Sequence, residues 1–172
     1  RWCTVTGVQT CALPICGGTY NANLYDCLVV SNEAHSRFGW VAGDVTAGGG
    51  VSGGSARNCT IIDNLVSLDY LTEPGTLTGG GSYGTALRNS IVYYNVCRYE
   101  GMGLILSNVS GGSATNSCAP DIATGHGNLN GEPLFVDSGS GNYRLATNSP
   151  CRDAGNNAFV AGATDLDGQP RI

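Results

Sequence analysis

ARNCTIIDN, Ala56 to Asn64, decides the fold, because the chain writes it three times. The other versions are LYDCLVVSN, Leu24 to Asn32, and LRNSIVYYN, Leu87 to Asn95. A glycine pair precedes each copy: Gly17-Gly18, Gly53-Gly54 and Gly80-Gly81. The closing asparagines recur at intervals of 32 and 31 residues. A period in that range is the signature of stacked repeats. A weaker fourth copy, GGSATNSCAPDI, opens at Gly111-Gly112 and sets Asn116 at the position of Asn89.

Aligned on their asparagines, the copies show a consistent sidedness. Leu24, Ala56 and Leu87 form one column, Cys27, Cys59 and Ser90 a second, and Val29, Ile61 and Val92 a third. The last two lie two residues apart and share a strand face, while the mixed column Leu28, Thr60, Ile91 points the other way. Strands this short hold no core alone. Stacked at ~4.8 Å per layer they bury a continuous row of like side chains. The pattern predicts an all-β, single-stranded solenoid of about three to four coils, truncated at both ends. Sustained apolar spacing of the helical kind is missing, so little helix is expected. Stretches such as 33–50 and 65–79 are read as the loops and outer strands that complete each turn.

Asn32, Asn64 and Asn95 are expected to form a structural ladder at a bend. An amide offers both a donor and an acceptor, and Asn tolerates the left-handed backbone. Cys27 and Cys59 are expected to stack as small hydrophobes, since parallel Cβ vectors suit a disulfide poorly. Cys118 and Cys151 each lie within two residues of a proline, in SCAP and SPCR, and are the candidate disulfide pair.

Charged residues make up 12% of the 172, against roughly 25% in an ordinary chain, and lysine is absent. With 41% hydrophobic residues in alternating runs, this composition argues for a folded domain. The net charge of -5, without a basic cluster, argues against a nucleic-acid partner. The apolar runs fall well short of the ~18 residues of a membrane span. The cysteine usage outside the first fifteen residues, with no zinc-type spacing, suits an exported protein.

Two resemblances add to this reading. Val5 to Ile15, VTGVQTCALPI, resembles one translated frame of a sequencing-library adapter. Residues 1–15 are therefore set aside as a non-native segment, with 16–131 as coils and 132–172 as a C-terminal closing segment. The repeat resembles right-handed parallel β-helix proteins of pectin-lyase-like architecture. The tail, with PLFVD, NYRL, SPCRDAG and DLDGQPR, resembles the choice-of-anchor Q group of bacterial surface proteins. The glycine pairs are also similar to those of chlamydial polymorphic surface proteins. The resemblance implies a right-handed parallel β-helix, an extracellular or cell-surface location, and an anchor downstream of Ile172.

Chemistry is sparse in the sequence. Asp26 is matched by Asn58 and Asn89, and Asp63 by Ser31 and Tyr94, so no acidic column stacks to bind Ca²⁺ or to hydrolyse a glycan. Gly125-His126-Gly127 matches three residues of a polygalacturonase element, but the partner elements are missing, so it reads as a turn. His35 reads as a solvated loop residue, Asp165-x-Asp167-Gly168 as a tight turn, and the sequons at Asn58 and Asn108 as incidental. No catalytic, cofactor or metal residue is assigned. Phe38, Trp40 and Tyr70 are the weak candidates for stacking on sugar rings. The expected function is a non-catalytic, adhesin-like stalk segment that meets extracellular polysaccharide or a host surface. The alternatives are a fragment of a polysaccharide lyase or hydrolase, and a glycan-binding module.

Overall fold

The computed structural model describes residues 3–10, 17–36, 45–69, 76–101, 103–160, 162–165 and 168–170, with the backbone alone for 3–10. The chain is all-β, and its parallel strands pair with neighbours one repeat away in sequence, as in a β-solenoid. One four-stranded parallel sheet stacks Thr19–Tyr20, Val51–Ser52, Ser82–Tyr83 and Val109–Ser110. A second stacks Asn23–Tyr25, Ser55–Arg57, Ala86–Arg88 and Ser113–Thr115. The third face is wider and organised by the long strand Cys27–Ser36. The first part of that strand pairs with Thr60–Ile62, and through it with Ile91–Tyr93. Its later part pairs with Leu65–Leu68, and through it with Val96–Tyr99.

The register places the sequence columns one above another. Leu24 pairs with Ala56, Ala56 with Leu87 and Leu87 with Ala114. Val29 pairs with Ile61 and Ile61 with Val92. All three of these β-branched residues are fully buried, and with Leu24, Cys27, Val51, Ala56, Cys59, Leu87 and Ala119 they form one core. Beyond the bend, Ala34, Val66 and Cys97 form a second cluster, closed by Leu77 from the two-stranded parallel sheet Val45–Ala47 and Thr76–Thr78. Each layer thus borrows its apolar partners from the layers on either side.

Two sequence expectations are corrected. The glycine pairs belong to two columns, not one. Gly17-Gly18 and Gly80-Gly81 stack with Gly49-Gly50, as the backbone bonds Gly18 N–H to Gly49 O and Gly50 N–H to Gly80 O require. There the chain passes so close that a Cβ on Gly50 would lie 2.7 Å from the Gly81 carbonyl oxygen and 2.9 Å from Ile61 Cγ2. Gly53-Gly54 stands in a different column, beside Asn21 and Ala22, where the backbone is left-handed (Gly54 φ 64) and a Cβ would meet Ala22 O at 2.1 Å. Second, residues 33–36 lie in a strand, not a loop, because that strand continues through the Asn32 bend. The set-aside segment contributes the strand Cys3–Thr10, paired in parallel with Cys27–Ser36. Strand addition runs through the backbone, and an exposed edge accepts it without a matched sequence.

The C-terminal segment lies along the side of the stack. Its hairpin joins Phe135–Asp137 to Asn142–Leu145, and it contains two single-turn 3₁₀ helices, Ser138–Ser140 and Asn157–Phe159. Among the described residues no helix is long and apolar enough to cross a membrane. The antiparallel strand Leu104–Leu106 ends the wide sheet with three exposed apolar side chains.

Candidate functional site

Where the chain bends after each inward Val or Ile, an asparagine side chain turns into the stack. Asn32 Nδ2 donates to Asn64 Oδ1 at 2.9 Å, Asn64 Nδ2 to Asn95 Oδ1 at 2.9 Å, and Asn95 Nδ2 to Asn108 Oδ1 at 3.1 Å. The same oxygens also accept the backbone N–H of the preceding member, at 3.0, 3.0 and 2.9 Å. Remaining donor capacity goes to carbonyls: Asn64 Nδ2 reaches Val29 O and Ile62 O, and Asn95 Nδ2 reaches Ile61 O and Tyr93 O. The ladder ends on Asp121, whose Oδ2 accepts the N–H groups of Asn108 and Val109. The bonds to the next side-chain oxygen all point one way along the stack, so the terminal member needs only an acceptor, and a carboxylate suffices there.

Asn108 and Asp121 escaped the sequence reading because each follows its predecessor by only 13 residues. Asn108 also stands in a glycine position, its carbonyl accepting from Gly81 as Gly81 and Gly50 pair one layer below. The usable signal was the Asn-Val-Ser run just before Gly111-Gly112.

A second amide row runs down the outer face. Asn58 Nδ2 donates to Asp26 Oδ1 and Asn89 Nδ2 to Asn58 Oδ1, with left-handed backbone at Asp26, Asn58, Asn89 and Asn116. The C-terminal segment is fastened along this row. Asn156 exchanges two bonds with Asn89, at 2.8 and 2.9 Å, and Phe159 O accepts from Asn58 Nδ2. The Phe159 ring sits under the guanidinium groups of Arg57 and Arg88, at 5.9 and 5.6 Å. Tyr143 donates to Asp63, whose carboxyl is held above the usual range by burial, against the pull of that bond. Tyr94 donates to Glu132, and burial together with that carboxylate pushes its phenol up to about 12.

Between this segment and the coils lies a cleft of about 560 Å³, lined by Asn58, Asn89, Asn116, Cys118, Cys151 and Asp153 among others. Cys118 occupies the outward column between Ile91 and Leu129, and it lines the same cleft as Cys151. Both are free thiols, as are Cys59 and Cys97. Cys27 and Cys59 sit in one buried column, each donating to the carbonyl two residues back, Tyr25 O and Arg57 O. Burial and the Cys27 contact push the Cys59 thiol strongly up. Ser90 continues the column and donates to Ala56 O and Arg88 O.

The densest polar group lies on the outward side of the wide sheet. His35 Nδ1 lies 2.8 Å from Ser67 Oγ and its Nε2 lies 3.1 Å from Asp69 Oδ2. Ser67 donates to Glu33, and Arg98 closes on Glu33 at 3.7 Å. Parallel pairing of His35 with Ser67, and of Ser67 with Arg98, makes the cluster. His35 is therefore an integrated strand residue and not the solvated loop residue expected. Ser67 is only 1% exposed and its proton is committed to Glu33, so its oxygen is shut off from an incoming substrate. Among the described residues no group of three His, Cys, Asp or Glu side chains could hold a metal ion. His126 lies in a left-handed turn whose carbonyl accepts from Asn116. Phe38, Trp40 and Tyr70 lie outside the described residues. Comparison with protein-family models, with characterised proteins and with solved structures finds no match.

Proposed function

We propose that the chain is a segment of a right-handed parallel β-helix serving as a non-catalytic, adhesin-like stalk in a bacterial exported, surface-anchored protein. The observation that carries this reading is the amide ladder through Asn32, Asn64, Asn95, Asn108 and Asp121. Its bonds run along the stack, and each layer's buried polar groups are satisfied by the next. That arrangement stiffens an elongated support and leaves the intervening stretches to vary. Antibodies raised against the hairpin formed by Phe135–Asp137 and Asn142–Leu145 should label intact cells of the producing bacterium, and external protease should strip the label. A signal that appears only after lysis would overturn the proposal.

The purified chain should release no reducing ends or unsaturated products from pectic or cell-wall glycans. Turnover of either kind by the purified chain would overturn the non-catalytic reading.

A further inference from the structure

Cys118 and Cys151 line one cleft but come from independently held pieces of backbone. Cys118 is fixed by the stack: its N–H donates to Ser90 O, its carbonyl accepts from Val92, and its Sγ reaches Gly131 O at 3.2 Å. Cys151 is fixed by the C-terminal segment. Ser149 Oγ donates to Pro133 O and accepts from Cys151 N–H at 3.1 Å, which folds the turn that presents the thiol. Cys118 is buried and Cys151 half-exposed on the cleft wall, so only the second is open to a small reagent.

We propose that Cys118 and Cys151 are a thiol–disulfide couple whose oxidation fastens the C-terminal segment to the stack and fixes the cleft. The oxidant is a low-molecular-weight disulfide. The Cys151 thiolate attacks one of its sulfurs, forms a mixed disulfide and expels one thiolate. Cys118 then gives up its proton, attacks Cys151 Sγ and expels the second thiolate. Two protein thiols and one disulfide become one protein disulfide and two small thiols. The order follows from access: Cys151 opens on the cleft, while Cys118 is buried and its thiol proton is held by Gly131 O.

Among the described side chains the other cysteines do not compete. Cys27 and Cys59 are both sealed in the core, on adjacent parallel strands whose Cβ vectors run alongside each other. Cys97 is enclosed with Ala34 and Val66.

The test uses the whole 172-residue chain, treated with glutathione disulfide, alkylated and digested at arginine. Peptides 99–144 and 145–152 should become linked, while the Cys27 and Cys59 peptides stay apart and alkylate only after unfolding. Oxidation should also slow cleavage after Arg152 several-fold in the native chain. In Cys118→Ser the reaction should stop at glutathionylated Cys151. If that variant fails to fold, the mixed disulfide can be trapped in the unaltered chain by rapid acid quench. Absence of the link, an equal yield in urea, or earlier linkage of Cys27 to Cys59 would each overturn the proposal.

Discussion

Asn95 and Asp121 show how little separates a ladder rung from a ladder end. Asn95 Nδ2 serves three acceptors, Ile61 O, Tyr93 O and Asn108 Oδ1. Asn95→Asp would set a buried carboxylate against all three and should cost about 3–5 kcal/mol in urea unfolding. Asp121→Asn keeps the accepting oxygen at an exposed position and should stay within about 1 kcal/mol. Alkali should act at Tyr94. Its phenol ionises near pH 10 in the unfolded chain but near 12 in the folded one, so only the unfolded state releases that proton in between. Stability is therefore fully present below pH ~10 and falls between ~10 and ~12. Tyr94→Phe should flatten that slope, leaving the smaller contributions of Tyr93 and Tyr143, which burial raises in the same direction. Unchanged alkaline unfolding in the variant would contradict the assignment.

At the scale of elements, the strands were legible where the period held and obscure where it broke. Val29, Ile61 and Val92 announce their column because equal offsets reproduce equal environments. The glycine pairs misled because two chemical needs, close approach at Gly50 and left-handed backbone at Gly54, select the same residue. The polar cluster around His35 was invisible because its members come from three strands, and only parallel register brings Glu33, Ser67 and Arg98 together. The C-terminal segment is held by a different device, the Phe159 ring under two arginines and the backbone bonds to Asn58 and Asn89. Phe159→Ala should lose roughly 1–2 kcal/mol of docking. Limited proteolysis should show faster cleavage after Arg144 and Arg152, with the unfolding midpoint of the coils little changed. Equal cleavage rates would mean that the clamp contributes nothing.

At the scale of the molecule, the layers are mutually dependent. No strand in the two four-stranded sheets exceeds three residues, and each gains its partners only from the layer before and the layer after. The apolar columns supply burial, and the amide ladder satisfies the polar groups that the bends would otherwise strand in the core. Hydrogen exchange at individual backbone amides tests this interdependence most directly. The Asn64 amide donates to Asn95 Oδ1 at 3.0 Å, one layer away. In the unaltered chain the amides of Asn32, Asn64 and Asn95 should be among the slowest to exchange. In Asn95→Ala the Asn64 amide should speed up by about tenfold beyond the change shared by the rest of the chain, as expected for one lost hydrogen bond. Fast exchange at Asn64 in the unaltered chain, or an Asn64 rate indifferent to residue 95, would contradict the stacked-layer account.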